Sequence, residues 1–261
     1  MSTTRTDPRL TSSVAVVTGA AGHIGSAIVR RLLDEGAAVV ATDRAFPAAE
    51  DDAARVTRVP LDLRERGAGR RLVETAVERY GRLDIVVANA GKATDGDLDQ
   101  GDEELWSDDI EVNLTANVGL LGAAVAAMRT GGSGAIVAIS SVNAHADFGN
   151  PAYSAAKAGL ESLVRSVAAR HGRDGIRANA LVLGTVATPA WQERIDRDPD
   201  VFEKLRASFP LGRLGRPEEI AGVVAFLVSG EAAWMTGSSI VLDGGLLIAN
   251  PSFTSTVFGA G

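Results

Sequence analysis

Tyr153 and Lys157 stand four residues apart in the stretch NPAYSAAKAGLESLV. In a helix that spacing puts both side chains on one face. A lysine ammonium near a phenol favours the phenolate. A tyrosine brought from a pKa of ~10 to ~7 needs about 4 kcal/mol of differential stabilisation. So tuned, it can take a proton from an alcohol or give one to a carbonyl. A serine closing the preceding apolar run, Ser141 or Ser140, could bind the same oxygen. Taken alone, Tyr-x-x-x-Lys is also what any amphipathic helix produces.

A second group of residues suggests what would work beside the tyrosine. VVTGAAGHIGSAIV, residues 16–29, reads as an apolar strand, a glycine turn and a helix. Gly19, Gly22 and Gly25 allow a tight turn and let N–H groups approach a pyrophosphate at the helix N-terminus. His23 and Ile24 lie in the same turn, and the His23 ring is expected to face solvent near the phosphates. The next apolar run, AAVVATDR, ends at Asp43, 18 residues after Gly25. An acidic residue there binds the ribose hydroxyls of NAD. It also repels the 2′-phosphate of NADP, by about 4 kcal/mol per charge at ~4 Å and an effective dielectric of ~20. Arg44 beside it is the complication, since an arginine can pair with that phosphate. The expectation is NAD over NADP. The positive ring of a bound nicotinamide would then add to Lys157 in lowering the Tyr153 pKa.

The elements that must position these residues follow from hydrophobic patterning. Strands are predicted at Val14–Thr18, Ala37–Thr42, Val56–Pro60, Asp84–Ala88, Ala135–Ser140, Arg177–Leu183 and Ser238–Leu242. They are rich in Val, Ile and Ala with little polar alternation, as in a parallel sheet covered on both faces. Helices are predicted near 24–35, 65–80, 103–128, 152–171 and 217–228. This alternation implies one doubly wound α/β domain over residues 1–261. Residues 186–213 carry no strand signal and read as a substrate lid. The apolar tail 246–261 reads as packing on its own surface or on a neighbouring subunit.

Composition narrows the function classes. A net charge of -7 argues against a nucleic-acid partner. With no cysteine there are no disulfides, thiolate metal sites or cysteine nucleophile. The acidic stretch 95–109 fails as a calcium loop, because its sixth and twelfth positions are Gln100 and Trp106. No metal is expected. The N-terminus has no apolar h-region, and no apolar run approaches the ~20 residues of a membrane span, so a cytoplasmic protein without a membrane partner is expected.

Together these motifs make the chain resemble the short-chain dehydrogenase/reductase family, in its single-domain branch, over about residues 12–245. The landmarks occur in order: TGAAGHIG; Asp62 and Leu63, where the family contacts adenine; Ala88-Asn89-Ala90-Gly91, beside the cofactor; Asn113 in EVNLTAN; Ser140-Ser141; Tyr153 and Lys157; IRANALVLGTVATP; RPEEIAGVVAFLVS; and TGSSIVLDGG. The resemblance implies a Rossmann-type domain with a seven-stranded parallel sheet and helices on both faces. It implies Tyr153 as general acid/base, Lys157 lowering its pKa and holding the nicotinamide ribose, and Ser141 orienting the substrate oxygen. Asn113 would hold a water linking Lys157 to a proton relay, and Val186 and Thr188 would contact the carboxamide end of the cofactor. Asn89, Ala90 and Gly91 fall in the cofactor set.

Several departures are visible. Leu183 replaces a usual proline, Ala88 a usual asparagine, and the family's more common glycine at His23 is absent. Ser141 lies 12 residues before Tyr153, where 13 is common; Ser141 is preferred to Ser140 because a loop absorbs a deletion more easily than a strand end. The expected activity is hydride transfer between a nicotinamide and a secondary alcohol or ketone. Asn143, His145 and Trp191 would contact substrate, and their polarity suits a polyol or sugar, with a cyclic alcohol or steroid as the other choice. A homotetramer or homodimer is expected. The alternative from another class is a catalytically silent NAD-sensing regulator or scaffold.

Overall fold

The computed structural model describes residues 9–46, 54–94, 98, 103–189, 192–249 and 259. Seven parallel strands form one sheet in the order β3-β2-β1-β4-β5-β6-β7. They are β1 (Val14–Thr18), β2 (Ala38–Asp43), β3 (Val56–Pro60), β4 (Ile85–Ala88), β5 (Gly134–Ser141), β6 (Ile176–Leu183) and β7 (Ser239–Leu242). The helices are α1 (His23–Asp34), α2 (Ala68–Tyr80), α3 (Glu103–Ile110), α4 (Ala116–Gly131), α5 (Pro151–His171), α6 (Gln192–Arg197), α7 (Val201–Arg206) and α8 (Pro217–Val228).

Alternate residues of each strand face opposite layers. In β1, Val14 and Val16 join the core under α2, α4 and α5, while Ala15 and Val17 join the core under α1 and α8. In β5, Ile136 and Ala138 face the first layer, and Ala135, Val137 and Ile139 the second. A strand buried on both faces has no reason to alternate apolar with polar, which is why these runs read as continuous. Strand order reverses between β1 and β4, and a crevice opens there beyond the strand ends, as in other doubly wound sheets.

Most predicted elements match the structure to within a residue at each end; three differ by more. The helix predicted over 103–128 is interrupted by a π turn, Glu111–Thr115, between α3 and α4. Within the turn, the Asn113 side-chain amide donates to the Asp109 carbonyl at 2.9 Å. It competes for the i−4 oxygen that an α-helix would reserve for the main chain. The helix predicted from residue 65 starts at Ala68, after Gly67 in a left-handed conformation. The segment 186–213 holds α6 and α7, and Val186 forms a bridge with Gly215.

Trp106–Gly131 forms 26 continuous helical residues, long and apolar enough by length and composition to cross a membrane. That corrects the expectation that no such stretch exists. Here Leu120, Leu121, Ala124, Val125 and Met128 of this helix belong to the core cluster that also takes in β1, β5 and α5.

Candidate active site

The crevice above β1, β2 and β4 is a cleft of about 440 Å³. Its walls include Gly19, Gly22, His23, Ile24, Gly25, Asp43, Arg44, Asp62, Leu63, Asn89, Ala90, Gly91 and Thr188. These thirteen were all expected to meet a cofactor. Val186 is not in the wall; it is 8% exposed and packs with the core under α8.

The glycine turn is shaped by close approach. Gly19 has φ +64, and a Cβ on it would meet Ala90 Cα and Asn89 Nδ2, both at 2.9 Å. A Cβ on Gly25 would sit 2.1 Å from the Gly19 carbonyl oxygen, so only glycine lets α1 start this close to β1. Gly22 is different: its nearest neighbour would be 3.4 Å away, leaving its face open to a ligand. His23 is exposed and is the first residue of α1. Asp43 reaches across, its Oδ2 accepting from the Ala21 N–H at 3.0 Å. Its Oδ1 accepts from the Arg44 N–H at 2.8 Å. The carboxylate therefore enters the cleft in a fixed orientation, tied to the turn that would hold phosphates.

Tyr153 and Lys157 share one face of α5, whose first turn carries Pro151, favoured there by its fixed φ. Lys157 is 3% exposed and its Nζ donates to the Ile139 carbonyl at 2.9 Å. The same Nζ lies 5.4 Å from the centre of the Tyr153 ring. Gly91 closes the space between loop and lysine: a Cβ there would meet Asn113 Oδ1 at 2.6 Å and Lys157 Nζ at 3.1 Å. Asn113 is fully buried, with its Nδ2 donating to the Lys92 carbonyl at 2.7 Å. Its main-chain carbonyl accepts from Asn117 Nδ2 at 3.1 Å.

The two serines part company at the end of β5. The Ser140 hydroxyl donates to Glu161 Oε1 at 2.6 Å. Ser141 donates to Asn143 Oδ1 at 3.0 Å and sits within hydrogen-bonding reach of the Tyr153 phenol. Asn143 also donates to the Gly149 carbonyl at 3.0 Å, and His145 Nε2 lies 3.1 Å from Glu161 Oε1. Both side chains expected to meet substrate thus hold the loop 142–149 in shape. Trp191 lies outside the described residues.

A sequence model for enoyl-(acyl carrier protein) reductase matches residues 19–247. The chain belongs to the short-chain dehydrogenase/reductase family. It is 37% identical over 250 residues to an uncharacterized oxidoreductase of Schizosaccharomyces pombe, covering 94% of this chain and 95% of the relative. It is 41% identical over 243 residues to the cis-4-hydroxycyclohexanecarboxylate dehydrogenase of Sinomonas cyclohexanicum, covering 89% and 95%. The crystal structure of a short-chain dehydrogenase/reductase family oxidoreductase from Burkholderia thailandensis superposes with a TM-score of 0.86 at 39% identity, covering 95% of this chain and 98% of that one. A short-chain dehydrogenase/reductase uses a nicotinamide cofactor and acts on small hydroxyl or keto compounds.

In this short-chain dehydrogenase/reductase, burial is the main influence on the titration of Lys157 and Tyr153. Burial lowers the Lys157 pKa from 10.5 to about 8. Burial also raises the Tyr153 phenol; the Ser141 hydrogen bond pulls it back down, and the charge of Asp109 pushes it further up. Without a cofactor the phenol is therefore kept neutral, and the positive ring of a bound nicotinamide would be needed to tip it toward phenolate. Elsewhere in the cleft, Arg64 grips Asp62 with hydrogen bonds and holds its carboxyl down at about 2, helped by the nearby charge of Arg44. Arg64 also reaches Asp108 at 2.8 Å, and Asp108 pairs with Lys92.

Several contributors escaped the sequence. Thr18 closes β1, and its Oγ1 accepts from the main-chain N–H groups of Asn89 and Ala90, each at 3.0 Å. A polar residue ending a buried strand just before a glycine turn was the available signal. Asp109 is 1% exposed and accepts from the Thr94 N–H at 3.1 Å and its hydroxyl at 2.8 Å. Asn150 donates to the Thr94 carbonyl at 2.6 Å, so the loop after β4 and the start of α5 are held together. These partners are far apart in sequence and no local pattern announces them.

Proposed function

We propose that this chain is an NAD-preferring dehydrogenase that oxidises a secondary alcohol, or reduces the matching ketone, with Tyr153 as the proton carrier. The observation that carries the reading is the convergence of Tyr153, Lys157 and Ser141 at the end of β5, beside a cleft whose wall holds Asp43. Gly22 leaves its face open at the α1 N-terminus, where a pyrophosphate suits both the N–H groups and the helix dipole. Asp43 would bind the ribose hydroxyls. Bound there, a nicotinamide supplies the carbon that accepts or returns a hydride. Ser141 would orient the substrate oxygen. Tyr153 would take the alcohol proton as the carbonyl forms, or return it in reduction. Lys157 would stabilise the phenolate and hold the nicotinamide ribose, and Thr188 would meet the carboxamide end.

Asn113 is assigned to hold a relay water behind Lys157. In support, Asn117 Oδ1, one turn on, is a buried acceptor with no partner among the described residues, and such a group is normally satisfied by an internal water. For substrate, a ring-borne secondary alcohol is the favoured class. The similarity to a hydroxycyclohexanecarboxylate dehydrogenase supports it, and Asn143, engaged with the loop, leaves fewer polar groups for a polyol. A homotetrameric or homodimeric assembly in the cytoplasm completes the reading. Cofactor choice is tested by comparing kcat/KM for NAD and NADP on one alcohol. NAD should be favoured by about a hundredfold or more, given the charge repulsion at Asp43. Equal use, or preference for NADP, would assign the 2′-position to Arg44 instead.

A further inference from the structure

Glu161 lies one turn beyond Lys157 on α5, so Tyr153, Lys157 and Glu161 repeat at intervals of four along one face. All three engage consecutive residues of β5. Lys157 bonds the Ile139 carbonyl, Glu161 the Ser140 hydroxyl, and Tyr153 meets Ser141. Glu161 is 4% exposed, which is unusual for a carboxylate. Its Oε1 accepts from Ser140 at 2.6 Å and faces His145 Nε2 at 3.1 Å; its Oε2 accepts from Ser239 of β7 at 2.6 Å. The two hydroxyl bonds have the lengths of charge-assisted bonds. Arg165, largely exposed, stands 4.0 Å from Oε2.

A buried carboxylate is costly, and an apolar side chain of similar size would often be more favourable there. What Glu161 obtains is orientation. Side chains from β5, β7 and the loop after β5 converge on one group, and His145 belongs to the same short turn as Ser141. In that turn the His145 and Ala146 N–H groups bond the Val142 carbonyl at 2.9 and 3.1 Å. The Asn143 N–H bonds Ser141 Oγ at 3.3 Å. Gripping Ser140 on one side and His145 on the other fixes the residues between them.

We propose that Glu161 is a positioning residue for the catalytic serine: through Ser140 and His145 it holds Ser141 at the distance from Tyr153 that substrate binding requires. The inference rests on Ser141 being the serine that orients the substrate oxygen.

The test is a double-mutant cycle on kcat, using an alcohol that the wild type oxidises. Glu161→Leu should lower kcat about tenfold or more, with KM for NAD nearly unchanged, while Glu161→Gln, whose amide still accepts from Ser140, should lose no more than about threefold. In a Ser141→Ala background the Glu161→Leu penalty should nearly vanish, because its target is gone. A penalty of the same size in both backgrounds, or none in either, would overturn the proposal. Amide hydrogen exchange supplies a readout that needs no substrate. Exchange at Asn143, His145 and Ala146 should rise about tenfold in Glu161→Leu but not in Glu161→Gln, with the α5 amides beyond Val164 still protected. Unchanged exchange at the turn would also overturn it. If Glu161→Leu does not fold, His145→Leu removes one arm of the grip at a partly exposed position. It should show the same non-additivity with Ser141→Ala and the same rise in exchange, and additive, unchanged behaviour counts against the proposal. Absence of turnover with every alcohol would instead sink the dehydrogenase reading and leave the exchange result to decide the grip.

Discussion

Lys157 is 3% exposed, and burial lowers its pKa to about 8 from 10.5. The unfolded chain therefore binds this proton more tightly between about pH 8 and 10.5, and the lysine penalises folding most at and below pH 8. Replacing it with methionine should abolish turnover yet stabilise the cofactor-free protein at pH 7 by ~2 kcal/mol, the burial cost less one hydrogen bond. Urea unfolding would show the gain, and it should shrink as pH rises from 8 toward 10.5. A variant less stable than wild type at pH 7 would mean that the bond to Ile139 outweighs the burial cost. The serine pair gives a second prediction. Ser141 meets the phenol, whereas Ser140 points to the α5 layer and Glu161. Ser141→Ala should reduce kcat/KM about a hundredfold or more, and Ser140→Ala about tenfold or less. The reverse ranking would exchange their roles. Tyr153, Lys157 and Ser141 were legible because their chemistry is local: four residues on a helix and a strand end. Thr18, Asp109 and Glu161 were not, since each matters through partners brought near only by the sheet.

At the scale of elements, the site depends on two close approaches. Gly25 lets α1 begin against the Gly19 carbonyl, and Gly91 lets the loop after β4 pass Asn113 and Lys157. Gly91→Ala should cut kcat/KM by about a hundredfold, because its methyl group must displace the Lys157 ammonium or the Asn113 amide, and misplacement of about 1 Å costs that much. Steady-state kinetics would show it, and a near wild-type value would mean the loop can yield. The strands were readable to within a residue or so because each is a short apolar run buried on both faces. The π turn was not, because hydrophobic periodicity does not reveal where a helix takes in one extra residue per turn. The same turn places Asn113 beside Gly91, so the missed irregularity is a feature of the site. Residues 186–213 carry no strand signal, and α6 and α7 are each six residues long, too short to leave a clear helical period.

At the scale of the molecule, the parallel sheet with its reversal between β1 and β4 puts the cleft lined by the glycine turn and Asp43 on the same edge as the end of β5, where Tyr153 meets Ser141. Seven parallel strands were implied by the alternation of elements and by the family resemblance, whereas their order in the sheet comes from the structure. Substrate class was not legible, because periodicity does not say which side chains face a pocket. The outer face of α4 exposes Val118 at 53% in a groove against α2. Sedimentation should find a dimer or tetramer, and Val118→Asp should shift it toward monomer if that face is the interface; an unchanged species would move the interface elsewhere. In the proposed reaction Tyr153 carries the proton for an NAD-linked alcohol oxidation. The most direct measurement is NADH formation, followed by absorbance, for wild type and Tyr153→Phe across cyclic alcohols, hydroxysteroids, polyols and sugars. Wild type should turn over at least one secondary alcohol, and the variant should lose about a thousandfold or more with NADH binding retained. Turnover by Tyr153→Phe at a rate near wild type would contradict it.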